Sequence, residues 1–210
     1  MTELITKIII LAPPILLALT LDEYADCYVA FRFGDPTAKS SGRLTLNPIR
    51  HLDPIGTIAF FLINIGWARP VPVNGAYFKN PRKDMVWVAL AGPITNLLLA
   101  IVSAVLVKTM LQIYMAFPSS FVAQAMLNPL ISMTAASVWI NLVLCIFNFL
   151  PIPPLDGSRI LMGILPDSMA ATYASFEKYG FILILILAFS GILSKIIIPI
   201  IGFAQGLLLS

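Results

Sequence analysis

The chain has 210 residues, of which 59% are hydrophobic and 11% are charged, and its mean hydropathy is +0.94. Soluble domains carry about 25% charged residues. This composition therefore excludes a soluble enzyme, a nucleic-acid-binding module and a disordered chain, and it predicts a lipid bilayer as the solvent. The net charge of +3 is too small to indicate an acidic partner. The two cysteines, Cys27 and Cys145, lie in apolar stretches and predict no disulfide framework.

Long apolar runs predict membrane-spanning helices, each of which needs about 20 residues. In chain order they are about Ile5–Phe31, Val86–Val107, about Pro129–Leu150 and Tyr179–Ser194, the last followed by an apolar tail. The piece from about Pro54 to Trp67 is too short to cross, so we expect a re-entrant element at half depth.

Two segments after the first helix favour short strands. Arg43–Asn47 alternates polar and apolar residues, and Val71–Val73 is a second candidate. A short outer loop is expected around Pro118–Ser120. The sequence thus predicts an all-α polytopic membrane protein with about 4–6 transmembrane helices and a short re-entrant or β-like element after the first, with residues 1–210 as one domain.

The basic residues predict the orientation in the membrane. Eight of the thirteen lie in one stretch, which the positive-inside rule assigns to the cytoplasm: Arg32, Lys39, Arg43, Arg50, Arg69, Lys79, Arg82 and Lys83. We therefore expect a multi-pass protein of the cell membrane with its 32–83 loop in the cytoplasm.

Three acids, Asp22, Glu23 and Asp26, lie within the first apolar run. One aspartate at mid-membrane costs about 2.5–3.5 kcal/mol on insertion scales, so all three are expected to face protein, water or a cation. Asp156 follows a proline-rich break after Asn148, and the predicted topology brings it to a similar depth. The alternative for Asp26 and Asp156 is an interfacial position among the headgroups.

These motifs resemble the site-two protease family of intramembrane zinc metalloproteases. The run Leu21–Ala30 stands where that family has its H-E-x-x-H helix. Further similar segments are Gly42–Pro48 with His51, Gly66–Asn74, Ala91-Gly92-Pro93 with Asn96, and Asn148–Gly157, which contains P-x-P-P-L-D-G. The resemblance covers most of the chain.

The resemblance implies a role for each matching residue. Glu23 is the general base, Asn148 contacts the substrate or the oxyanion, and Asp22, Asp26 and Asp156 are the metal ligands. The departure is that both motif histidines of the family are aspartates here, at Asp22 and Asp26.

This replacement changes the expected metal chemistry. With two imidazoles and one carboxylate as ligands, a zinc site has a net charge of about +1. With three carboxylates the net charge is about −1, which weakens the zinc as a Lewis acid. Zinc is implied by the resemblance, whereas oxygen ligands favour magnesium, manganese or calcium, and a site without metal is a third outcome. His51, the sole histidine, could add a nitrogen ligand, but a histidine that stabilises its own loop is the preferred interpretation.

Three function hypotheses follow. The first is an intramembrane metalloendopeptidase that cleaves transmembrane segments of membrane proteins, with strand addition at Arg43–Asn47 holding the unwound substrate. The second is an inactive family member, natural or engineered, that binds such substrates without cleavage. The third is a cation or proton pathway built on the acids. The expected partners are a transmembrane protein substrate and the bilayer, with no nucleic acid.

Overall fold

The computed structural model describes residues 2–63, 66–117, 120–121 and 123–210. These residues form nine α-helices and no strand. The helices are α1 (Thr2–Arg32), α2 (Thr37–Ser40), α3 (Pro54–Ile63), α4 (Pro81–Ala116), α5 (Asn128–Asn148), α6 (Asp156–Ile164), α7 (Asp167–Ala174), α8 (Glu177–Phe189) and α9 (Ile192–Leu209). A π-helical turn, Ala123–Leu127, leads into α5.

Four helices are long and apolar enough to cross a membrane: Ile5–Arg32, Pro81–Ala116, Gln124–Asn148 and Ile192–Leu209. A fifth span results if α7 and α8, which meet at 64°, are taken together. The predicted all-α polytopic fold is confirmed. The first two predicted spans lie in these helices, and the third, about Pro129–Leu150, extends two residues beyond Asn148.

The fourth predicted span is wrong in its bounds. The apolar run Tyr179–Ser194 is interrupted at Gly191, whose φ of +73° favours glycine and ends the helical path. The 13-residue α8 lies before this break, and the apolar tail after it forms the long helix α9. Hydropathy alone does not detect such a break, because the residues on both sides are equally apolar.

The predicted strands are also wrong. Residues 44–46 form bends, and the hydrogen bonds here are local: Thr45 N–H donates to the Arg43 carbonyl, and Asn47 N–H donates to Thr45 Oγ1. No strand edge is therefore present there for substrate addition. Within the described residues, pairing is limited to an isolated bridge between Leu52 and Ala68. The short helix α3 lies within the predicted half-depth piece, whose residues 64–65 fall outside the described residues, as do 118–119 of the predicted outer loop.

Helices α1, α4 and α5 pack against one another, and α9 packs on α5. Small side chains in the α4 interface let the helix backbones approach closely, which favours association inside a membrane. The largest buried apolar cluster joins α4, α5 and α9 through Ala100, Ala104, Val107, Val138, Leu142, Ile197 and Ile201. This packing holds the acid-bearing part of α1 against the middle of the chain.

Candidate active site

Asp22 and Asp26 lie one turn apart on α1 and face α4. Their exposed fractions are only 7% and 8%. The backbone N–H of Gly92 donates to Asp26 Oδ1 at 2.8 Å, and a Cβ at Gly92 would overlap Asp22 Oδ1. Glycine at this position therefore allows α4 to approach both carboxylates.

Asn148 brings the end of α5 to the same carboxylates. Its Nδ2 donates to Asp22 Oδ2 at 3.2 Å, across 126 positions of sequence. The other oxygen, Asp22 Oδ1, is buried and has no hydrogen-bond partner in the described part of the chain. Three helices that are distant in sequence thus converge on one acid cluster.

Glu23 contacts the loop that follows α1. Its Oε2 lies 3.5 Å from Nη2 of Arg43, and the two side chains are 15% and 6% exposed. Arg43 also donates to the Arg69 carbonyl at 2.5 Å and to the Pro70 carbonyl at 3.0 Å. From the sequence, Arg43 was predicted to lie in a strand and in the cytoplasmic basic stretch, with no role beside Glu23. The available signal was an intramembrane glutamate, which needs a counter-charge, followed within 20 residues by three cations, Arg32, Lys39 and Arg43.

Asp156 opens α6 and is partly buried. Its negative charge acts on Asp22, Glu23 and Asp26, so it belongs to the same electrostatic cluster. The pKa of Asp156 is raised to about 6, because burial raises it more than the positive charge of Arg159 lowers it. Within the residues that the structure describes, no three His, Cys, Asp or Glu side chains form a group that could hold a metal ion. Ligation by Asp22, Asp26 and Asp156 stays a prediction.

The single histidine does not complete the site. His51 is buried, and its Nε2–H donates to the Thr45 carbonyl at 2.7 Å, which confirms that it stabilises its own loop. The acid cluster therefore offers carboxylate oxygens without imidazole. Asp26 Oδ1 and Asp22 Oδ2 already accept hydrogen bonds from the protein. These carboxylate oxygens do not fit the zinc of an H-E-x-x-H site, which needs two imidazole nitrogens as ligands.

Comparison with known proteins supplies independent information. The model of "Peptidase family M50" matches residues 107–193, which include Asn148 and Asp156 but not α1. The chain is 43% identical over 190 residues to "Putative zinc metalloprotease YwhC" of Bacillus subtilis, covering 90% of this chain and 84% of that protein.

More distant relatives carry the name "Putative zinc metalloprotease Rip2". The protein from Mycolicibacterium smegmatis is 26% identical over 86% of this chain and 66% of its own length. The protein from Mycobacterium tuberculosis is 29% identical over 82% of this chain and 63% of its own length. The chain thus spans less than two thirds of the Rip2 proteins. No solved structure matches it.

Proposed function

The chain belongs to peptidase family M50, the site-two proteases, and from that premise we propose that it acts on a transmembrane segment of another membrane protein inside the bilayer. The observation that carries this proposal is the meeting of α1, α4 and α5 at Asp22, through Gly92 and Asn148. Buried polar groups inside a membrane protein are costly and mark functional sites.

The first candidate is an endopeptidase that hydrolyses the bound segment. Glu23 is the proton acceptor in this candidate, and the proposed substrate contact is the Asn148 amide. The matching positions of Glu23, Asn148 and Asp156 support it, as do relatives named zinc metalloproteases. No hydrolytic step through zinc follows from this chain, because Asp22 and Asp26 stand at the two histidine positions.

The second candidate is binding of the segment without cleavage. The specific observation in its favour is that oxygens of Asp22 and Asp26 are bonded to Asn148 and Gly92. Hydrogen bonds from within the protein compensate part of the cost of burying these carboxylates. An acid cluster held in this way keeps its geometry without a bound ion.

A crosslinking experiment tests the shared proposal and a cleavage assay separates the candidates. A photo-reactive amino acid replaces Phe149, which follows Asn148 and is 42% exposed. The matched control is Trp139 on α5, which is 49% exposed and lies about 15 Å from position 149 along the helix axis. We expect a model transmembrane peptide in lipid nanodiscs to crosslink at position 149 and not at 139.

Equal crosslinking at both positions would contradict the proposal. Gel analysis of the same reactions then reports whether the peptide is cut, and elemental analysis of protein purified without chelator reports its metal content. A crosslinked, uncut peptide supports the binding candidate. A cut peptide whose cleavage is lost in Glu23→Gln supports the endopeptidase.

We further propose that the 32–83 loop faces the cytoplasm, where it places the substrate site near the cytoplasmic boundary. The charge distribution of this loop supports the orientation. Lys39 and Lys79 are exposed, so cysteines at these positions should resist an impermeant thiol reagent in intact cells and react after permeabilisation. Labelling of both in intact cells would reverse the orientation.

A further inference from the structure

Buried polar side chains face one another along α4 and α5, within two predicted spans. Asn96 and Ser103 lie on α4, and Ser137 and Asn141 lie on α5. Their exposed fractions are 0%, 7%, 8% and 1%. A polar side chain buried in a membrane protein needs a hydrogen-bond partner, because no bulk water reaches it.

The two helices carry these residues in register. Ser103 Oγ and Ser137 Oγ meet at 2.9 Å. Gly92, beside the acid cluster, lies eleven residues before Ser103 on α4. Asn148, also beside the acid cluster, lies eleven residues after Ser137 on α5. Eleven residues are about three helical turns and about 16 Å, so each set stays on one helix face. The polar column therefore connects Asp22 with the serine pair.

Hydrogen bonds are complete in the half of the column next to the serines. Asn141 Nδ2 donates to the Ser137 carbonyl at 2.8 Å and to Ser137 Oγ at 3.1 Å, and Ser137 contacts Ser103. The column is thus continuous from Ser103 to the Asn141 amide nitrogen.

The half next to the acids is different. In the part of the chain that the structure describes, Asn141 Oδ1, Asn96 Oδ1, Asn96 Nδ2 and Asp22 Oδ1 are buried without a partner. All four atoms belong to the stretch between Asp22 and Asn141. Three of them are acceptors and one is an amide donor, so the ligand that satisfies them must both donate and accept.

We propose that the α4–α5 interface binds a short file of water molecules between Asp22 and Asn141. By helical rise, Asn96 lies about 6 Å from the level of Gly92 and about 4–5 Å from the level of Asn141. One bridging water spans about 5–6 Å, which is the size of these separations between residue levels. A single cation does not reach all the oxygens, since its ligands lie within about 2.6 Å.

The water molecules continue the hydrogen-bonded column from Asn141 to Asp22. With water in place, the column runs from Asp22 to Ser103, away from the 32–83 loop. It hydrates the acid cluster from inside the helix bundle. Protons can then exchange along the column, because each water accepts one proton and releases another. Asn141 passes a proton on by accepting one at Oδ1 and releasing one from Nδ2 to Ser137 Oγ, and the reverse step restores the amide.

Deuterium exchange of an introduced thiol tests for this water. Ser137→Cys places the thiol on the column, and Val138→Cys places it at the same depth in the apolar cluster, where Val138 is 0% exposed. Both variants are made with Cys27 and Cys145 replaced by alanine, in lipid nanodiscs. Infrared spectra follow S–H to S–D exchange after transfer to D₂O. We expect exchange at Ser137→Cys to be at least ~10-fold faster than at Val138→Cys.

A substitution that blocks the column provides the second measurement. Asn96→Leu fills the column with a side chain of similar volume, and exchange at Ser137→Cys should then slow ~10-fold. Equal rates at positions 137 and 138, or no effect of Asn96→Leu, would overturn the proposal. Ser103→Cys with Ala104→Cys as its control, 2% exposed, repeats the test if Ser137→Cys does not fold.

Discussion

The ion pair between Arg43 and Glu23 provides the sharpest test of how the loop after α1 is held. Arg43→Met keeps the length of the side chain and removes every donor. The change breaks the 3.5 Å contact with Glu23 and the bonds to the carbonyls of Arg69 and Pro70. Because Glu23 is only 15% exposed, water replaces its lost counter-charge poorly.

The expected loss follows from these contacts. Removing one partner of a buried ion pair costs about 3–5 kcal/mol. Arg69 and Pro70 are exposed, so water can replace Arg43 as the hydrogen-bond donor to their carbonyls. The loss of these two bonds therefore adds no more than ~1 kcal/mol to the destabilisation. We therefore expect Arg43→Met to lower the free energy of unfolding by about 4 kcal/mol. In Glu23→Gln the arginine keeps both carbonyls, and the expected loss is ~1–2 kcal/mol.

A double-mutant cycle separates the pair from its surroundings. The variant with both changes leaves no buried charge unpaired, so its loss should fall about 2 kcal/mol short of the sum of the single losses. Unfolding in mixed micelles, followed by circular dichroism, measures all four proteins. The control is Arg82→Met, whose pair with Asp167 is 41% and 94% exposed and should contribute ~0–1 kcal/mol. If the losses add, or Arg43→Met matches this control, the buried-pair reasoning is refuted.

Three further predictions concern the acid cluster and its loop. Asp22→His with Asp26→His should raise zinc content to about one ion per chain, because i, i+4 imidazoles suit zinc. Elemental analysis measures this, and a chain that stays free of zinc would contradict it. Gly92→Ala should lower stability by ~1–3 kcal/mol through overlap with Asp22 Oδ1, whereas Gly202→Ala, whose Cβ meets nothing within 4 Å, should not. Thermal unfolding compares the two, and equal losses would disprove the overlap. Burial lowers the pKa of His51, so the folded state binds fewer protons there than the unfolded chain. Stability should fall as the pH drops below about 6.5, and His51→Gln should flatten that slope in unfolding scans at several pH values. An unchanged slope would exclude His51 as its source.

The sequence alone was sufficient where a local pattern has one physical outcome. The uncharged run Val86–Val107 has to be a helix in lipid, because only a helix satisfies its own backbone there, and it lies within α4. The i, i+4 spacing of Asp22 and Asp26 places both on one helix face in any packing. The order of the spans likewise predicted that the end of α5 reaches the depth of the acids on α1, and the hydrogen bond from Asn148 to Asp22 agrees with this depth.

Tertiary structure decided the features that depend on contacts between distant segments. The alternation in Arg43–Asn47 predicted a strand, but Arg43 turns inward to Glu23 and the Thr45 carbonyl accepts from His51, so no strand forms. The run Tyr179–Ser194 has uniform hydropathy, and only the backbone at Gly191 shows that it belongs to two helices. The polar groups of Asn96 and Asn141 are unremarkable in sequence. They become a column only because α4 and α5 pack in register, which depends on the fit of their surfaces and not on either helix alone.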